Sequence, residues 1–281
     1  MSTVDDMATD NHLGEYLRAR RELVRPDDVG LPVMGQRRVA GLRREEVAML
    51  AGISSDYYLR LEQGRDHNPS AQVLESLARV LQLDDTATGY LLGLIAPHLR
   101  SRTRRDRSSS VPESIRRLVS SIALPAFVES RHFDVLLGND LARAVNPNLR
   151  IGENRMLAMF LDPAEQALCP SYEQAMAYMV ASFRQSIGTD TDDPRFVQVV
   201  GELSLASDRF RRLWARHDVH TREGALTVAQ HPEVGELALF KERLVVEGAD
   251  DLVLVMFHPA DDETADRLAL LSSMTPVGGA R

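Results

Sequence analysis

Ser55, Asp56, Leu59 and Arg60 share one face of a short segment, and that set of side chains can read the edges of base pairs. Asp56 offers the acceptor that a cytosine N4 amine needs, and Arg60 the paired donors that suit guanine O6 and N7. Upstream, Arg43 and Arg44 precede Glu45 and Glu46 at a helix start, where a cation opposes the helix dipole. A phosphate group in front of the helix resolves that conflict. Tyr57 is placed either to touch a phosphate or to pack. The competing reading pairs Arg43, Arg60 and Arg65 with Glu46, Glu62 and Asp66 on a solvated surface. Glu62 is expected to serve structure, paired with Arg20.

The elements that must hold these residues are visible in the segment 43–64, RREEVAMLAGISSDYYLRLEQG, as two short helices and a turn. Val47, Ala48 and Ala51 form the inner face of the first helix, and Gly52 permits the turn. Ser54 supplies an oxygen to the orphan amides of the next helix, while Tyr58 and Leu61 hold it to the body. The outward N-terminal residues of a helix so placed meet the major groove. A helix over about Leu13 to Val24 precedes this unit, followed by an extended loop from Arg25 to Leu42. Asn68, Pro69 and Ser70 cap a fourth helix with Val73, Leu74, Leu77, Ala78 and Leu81 in one stripe. Asp84 and Asp85 begin a fifth, carrying Tyr90, Leu91 and Leu94 and ending before Pro97.

RRVAGLRREEVAMLAGISSDYYLRLEQGRDHNPSAQVLESLARVLQL resembles the xenobiotic-response-element (XRE, phage-repressor-type) helix-turn-helix, in the branch of the MmyB-like transcription regulators. The marks are the arginine pair before the second helix, the DYYLRLEQGR run and the Pro69-Ser70 opening. By match to that motif Arg44 is the leading phosphate contact, with Arg37, Arg38, Arg43 and Arg65 secondary. The second half, in the order FDVLLGNDLA, ENRMLAMFLDP, TDDPRFVQVVGELSLASDRFRRLWARHDV and HPEVGELALFKERLVVEG, is similar to the MmyB-like ligand-binding domain. This resemblance implies a PAS-like fold that accommodates fatty-acid-like apolar molecules. Relatives often carry Trp-Asn where this chain has Gly138-Asn139, and loss of that aromatic is expected to widen or reshape a pocket.

Read from its own pattern, the second half has strands at Leu124 to Val128 and Phe133 to Leu137 around a turn at Glu129 to His132. A capping box at Ser171 and Gln174 opens a helix with Met176, Met179, Val180, Phe183 and Ile187 inward. Asp193-Pro194 starts another, with Phe196, Val197, Val200 and Leu203 on one side, and Ser207 opens a third. Leu226 to Ala229, Val234 to Lys241, Leu244 to Glu247 and Leu252 to Phe257 read as late strands. Helices inserted between early and late strands predict an α+β domain with an antiparallel sheet. The candidate pocket residues are Phe133, Met156, Met159, Phe160, Met176, Met179, Phe183, Phe210 and Trp214. A methionine and aromatic stripe at helical spacing equally describes plain core.

The net charge of −8 is unevenly spread: residues 13–107 hold 16 arginines against 13 carboxylates, whereas residues 111–281 hold 17 basic and 25 acidic side chains. A positive module joined to an acidic one fits a DNA reader with a separate sensor. Arginine outnumbers lysine 32 to one, which reads as the codon bias of a GC-rich bacterial genome. The single cysteine, Cys169, excludes an internal disulfide and lacks a nucleophile signature. His217 and His220 are three apart at a helix-to-strand transition, and His231 and His258 do not complete a metal-ligand spacing. Neither a phosphate-binding glycine loop nor a Gly-x-Ser-x-Gly elbow occurs, so no cofactor and no catalysis are expected. The acidic start lacks a signal-peptide layout, and no run of about 18 apolar residues occurs, so the expected place is the bacterial cytoplasm, on the nucleoid and off the membrane.

The chain therefore reads as multidomain: an all-α helix-turn-helix DNA-binding domain plus an α+β PAS-like sensor domain. The expected divisions are a tail over 1–12, the DNA-binding domain over 13–97, a basic linker over 98–112, the sensor over 113–275 and a tail over 276–281. The expected partners are a double-stranded DNA operator, a second copy of the chain and a small apolar ligand. The alternatives are a DNA-anchored module whose second domain binds a protein, and an enzyme tethered to DNA.

Overall fold

The computed structural model describes residues 11–31, 37, 39–66, 68–95, 110–188, 190–218, 225–249 and 251–275. Arg38, His220, nearly all of the expected linker, most of the first tail and all of the second lie outside those residues. The chain forms two units, residues 1–99 with 212–220, and residues 100–211 with 221–281.

In the first unit, helices α1 (His12–Leu23), α2 (Arg44–Ala51), α3 (Ser55–Glu62), α4 (Ala71–Val80) and α5 (Asp85–Gly93) follow one another. Their starts follow from side-chain caps: Ser54 accepts from the Tyr57 amide at 3.1 Å, Ser70 from Val73 at 3.3 Å and Asp84 from Ala87 at 2.7 Å. Gly52, at φ +71°, closes α2 in the left-handed conformation that glycine adopts without strain. Tyr16, Leu17, Leu42, Val47, Tyr58, Leu61, Leu74, Leu77 and Leu91 are buried in one cluster. Each contributes about 1.5–3 kcal/mol. At Gly14 α1 approaches α3 closely, since a Cβ there would lie 2.4 Å from the Glu62 carbonyl.

One expected pairing is corrected. Glu62 bonds Arg21, with Arg21 Nε donating to Oε1 at 2.6 Å, and does not bond Arg20. Arg21 is buried on the inner face of α1, whereas Arg20 turns to Asp218 at 2.7 Å, in the 212–220 stretch of the same unit.

The second unit carries a five-stranded antiparallel sheet of β1 (Ala126–Ser130), β2 (Val135–Gly138), β3 (Ala225–His231), β4 (Gly235–Val245) and β5 (Leu252–Pro259), in the order β2-β1-β5-β4-β3. Helix α6 (Glu113–Ser121) precedes the sheet. Between β2 and β3 run α7 (Asp140–Val145), α8 (Arg155–Leu161), α9 (Pro163–Leu168), α10 (Tyr172–Ile187), α11 (Pro194–Ala206) and α12 (Asp208–Trp214). Helix α13 (Asp262–Met274) follows β5. Helices inserted between early and late strands of an antiparallel sheet are the α+β arrangement that the strand and helix patterns predict.

Several local expectations change. Glu129 and Ser130 belong to β1 and not to a turn, because the buried Glu129 carboxylate is neutralised by arginines from α8 and β4. The expected strands at Val234 to Lys241 and Leu244 to Glu247 are one strand, since Glu242 and Arg243 stay in register with Met256 and Val255 of β5. Ser171 sits at the start of α10 without a side-chain cap, so the predicted capping box does not form. Val197 faces outward on α11, and Phe196, Val199 and Leu203 supply the buried stripe.

Asn139 organises the corner after β2. Its side chain accepts from the amides of Ala142 at 2.9 Å and Ala126 at 3.1 Å, and donates to the carbonyls of Leu124 at 2.7 Å and Ile122 at 3.2 Å. A Cβ on the neighbouring Gly138 would lie 2.8 Å from the Leu149 carbonyl. The Leu149 carbonyl thus closes in on Gly138.

Candidate functional site

Two faces carry the chemistry, one in each unit. On α3, Ser55, Asp56 and Arg60 are exposed and Leu59 is half-buried, while Tyr58 and Leu61 are fully enclosed. That division follows the 3.6-residue period and leaves the first turn of α3 available to a groove. Arg60 Nη1 donates to Asp56 Oδ2 at 2.5 Å, one turn earlier, and the guanidinium lies 5.7 Å from the Tyr57 ring centroid. Tyr57 is half-buried on the core cluster, so packing and edge exposure coexist in it.

The arginines around this helix divide into two sets. Arg37 is largely enclosed: both terminal nitrogens donate to Glu46, at 2.8 and 2.6 Å, and one also reaches the Gly41 carbonyl at 3.2 Å. The Arg37 hydrogen bond holds the Glu46 carboxyl below the usual range, and Glu46 also accepts from the Arg43 amide at 2.7 Å. Glu46 is thus occupied by Arg37 and a backbone amide, and Arg43 keeps an exposed side chain. Arg44 sends Nε to Glu62 Oε2 at 2.5 Å yet leaves 44% of its side chain exposed. Arg65 is exposed just past α3. Arg43, Arg44 and Arg65 therefore keep exposed side chains, whereas Arg37 is held on Glu46 and the Gly41 carbonyl, and Arg38 lies outside the described residues.

The second face is a cavity of about 260 Å³ between α8, α9 and α10 on one side and β3, β4 and β5 on the other. Val145, Leu149, Met159, Leu168, Met179, Val228, Leu239 and Phe257 give it an apolar wall, and Arg155, Glu165, Cys169, Tyr178 and Lys241 are its titratable members. Of the residues expected from sequence, Met159 and Met179 line it. Phe133, Met156, Met176, Phe183 and Phe210 are instead packed in the core, at 1% exposure or less. Phe133 meets Phe183 edge-on at 5.5 Å, Phe183 lies 5.5 Å from Phe196, and Phe160 meets Phe210 at 5.4 Å. Their own aromatic contacts draw these rings away from the cavity. Trp214, at the end of α12, is not among the residues that line the cavity.

A buried cluster of charges that includes the cavity residues Arg155 and Lys241 was not expected from sequence. Glu129, fully buried, accepts from Arg155 at 2.9 Å and pairs with Arg243 at 2.7 Å. The two guanidiniums also stack on rings, Arg155 over Phe127 and Arg243 over Phe133, each at 5.2 Å. Burial raises the Glu129 carboxyl, but the positive charges of Arg155, Arg243 and Lys241 outweigh it and leave the group below its ordinary value. Leu237, Leu239, Lys241 and Arg243 alternate along β4 and so share a face, a signal that period-2 counting alone would reveal. Cys169 lines the cavity with its thiol pushed up by burial, which disfavours the reactive thiolate.

The histidines are engaged elsewhere. His231 Nε2 contacts the Ala144 carbonyl at 2.9 Å, and His258 stacks on Phe240. Among the described residues no group of three or more His, Cys, Asp or Glu side chains is placed to hold a metal, and no helix is long and apolar enough to cross a membrane.

Comparison with known proteins places a known family domain in each unit. Residues 12–90 match a helix-turn-helix domain, spanning α1 to α4 and most of α5. Residues 111–271 match the ligand-binding domain of MmyB-like transcription regulators, spanning the sheet and the cavity. No curated protein matches the chain. With a helix-turn-helix in front and that ligand-binding domain over more than half its length, the chain belongs to the MmyB-like transcription regulators.

Proposed function

We propose that this protein is a sequence-specific repressor or activator that reads a two-fold operator as a homodimer, and that an apolar, fatty-acid-like molecule in the cavity alters its affinity for DNA. The observation that carries this reading is the apolar cavity itself, enclosed by α8 to α10 over the sheet, in a chain whose other unit exposes Ser55, Asp56 and Arg60 at the start of α3. One helix of this kind reads a half-site, so two copies match a two-fold operator. The ligand acts by preferring one arrangement of the two DNA-reading units over another. A mainly apolar lining, with the Cys169 thiol pushed up by burial and so turned away from the reactive thiolate, supports binding as the role of the cavity.

Native mass spectrometry of the purified protein, followed by denaturing extraction, tests this directly. A dimer that releases one lipid-sized apolar molecule per chain supports the reading. A monomer that stays monomeric on DNA, or a dimer whose second unit retains a stoichiometric protein and no small molecule, contradicts it.

A further inference from the structure

Lys241 is the single lysine in a chain with 32 arginines, and it lines the cavity. It follows Leu237 and Leu239 along the inward face of β4, and its ammonium lies 5.7 Å from the Tyr178 ring centroid on α10. Arg155 reaches the same cavity from α8. The charges near them do not balance. Glu129 on β1 is shared by Arg155 and Arg243, at 2.9 and 2.7 Å, and among the described residues no carboxylate lies within ion-pair distance of Lys241. Glu165 on α9 also faces the cavity, but Asn146 and Asn148 donate to its Oε1 at 2.9 and 3.1 Å. Across the sheet Lys241 is in register with Phe257 of β5 and Ala225 of β3, neither of which carries charge, while Glu242 turns to His258. Tyr178 and Cys169 complete the titratable lining. The cavity lining thus brings two basic side chains, Arg155 and Lys241, together with the one carboxylate of Glu165, while Glu129, outside the lining, is shared by Arg155 and Arg243.

We propose that Lys241 and Arg155 select an anionic head group among the apolar molecules that enter the cavity, and that Lys241 takes up a proton as the anion binds. The proposal rests on the reading of the cavity as the ligand site. Burial holds the Lys241 amine well below the usual lysine range, the neighbouring Arg155 and Arg243 act in the same direction, and Glu129 opposes them. An anion placed beside the amine reverses the balance and restores the ammonium. Arginine cannot serve in this way, because its guanidinium keeps its proton at any pH a protein meets. A lysine among arginines therefore makes this one cation conditional on its ligand.

The sign follows from linkage. The bound state holds the proton more tightly than the free state, so affinity for the anion falls as pH rises between the two values, by about tenfold per pH unit for one proton. Isothermal titration of the full chain with decanoate and with decan-1-ol, across pH and in buffers of different ionisation enthalpy, reads this out. The expected result is decanoate binding at least about tenfold tighter than the alcohol, with up to one proton taken up per site. Lys241→Arg should retain decanoate binding with no proton uptake, and Lys241→Met should lose the preference for the acid. Equal affinity for acid and alcohol, or no buffer-dependent heat in the unaltered chain, overturns the inference and leaves the ligand site standing. Binding of neither molecule overturns the ligand-site reading, and this inference with it.

Discussion

Arg44 Nε lies 2.5 Å from Glu62 Oε2, so the first residue of α2 is tied to the last residue of α3. Arg21 of α1 reaches the same carboxylate at 2.6 Å, and the Glu62 carbonyl accepts from Asn11 at 2.9 Å. One buried side chain therefore fixes three helices, and Arg44 is both a strut of the fold and a cation turned partly to solvent. Arg44→Ala should weaken operator and random DNA alike and lower the salt dependence by about one unit of slope. It should also cost about 1–2 kcal/mol of stability, modest because Arg21 still neutralises Glu62. Salt-dependent anisotropy with a thermal melt measures both, and an unchanged salt slope removes Arg44 from the phosphate contacts.

Arg60 and Asp56 form an exposed pair one turn apart on α3. Arg60→Ala should relax sequence choice at one base pair per half-site, with about 1–3 kcal/mol of lost discrimination and little change on random DNA. A uniform loss on all sequences places Arg60 on the backbone.

Acid should destabilise the protein through its buried carboxylates. Burial alone raises Glu62, but hydrogen bonds and charge from Arg21 and Arg44 leave it below its ordinary value, and Glu129 is held low by Arg155 and Arg243. A carboxyl lower in the folded than in the unfolded chain contributes stability that is present above the unfolded value and lost as pH falls through the folded one. The melting temperature should therefore hold near neutrality and fall in acid. Glu62→Gln should melt lower at neutral pH, by about 3–5 kcal/mol for a broken buried pair, and respond less to acid. An acid slope identical to that of the unaltered chain would contradict the assignment.

Asn139 makes four hydrogen bonds that join the end of α6, the start of β1 and the first turn of α7. Asn139→Ala should cost about 2–3 kcal/mol, from a lost cap and two unsatisfied carbonyls. Asn139→Asp keeps the acceptor and loses the donors, so it should fall between the two in a denaturant titration. Equal stability of all three chains would remove this corner from the account.

How much was legible in the sequence follows the range of the interactions. The helix-turn-helix was readable because its signals are local: Ser54 and Ser70 cap helices three residues ahead, and Tyr58 and Leu61 repeat at helical spacing. Glu62 pointed to structure, yet its partner was one residue off, since Arg20 and Arg21 differ only in which side of α1 they occupy. Glu129 read as a turn residue because its neutralising arginines lie far away in sequence. The cavity was the least legible part. Met176 and Phe183 repeat at helical spacing on α10 but are buried in the core, as is Phe210 on α12, with Phe183 and Phe210 each against another ring, while Lys241 stood out only as a count until the packing of α10 over β4 put it in the wall.

The central claim is that occupancy of the cavity changes DNA affinity. The most direct test is fluorescence anisotropy on an operator selected from random duplexes, with the full chain stripped of ligand and then saturated with the molecule it releases on denaturation. The account predicts that Kd moves by a factor of about 5–150, the range of a coupling free energy of about 1–3 kcal/mol, and that Met179→Trp, which fills the cavity, abolishes ligand binding and the shift together. Identical operator affinity with the ligand demonstrably bound would contradict it.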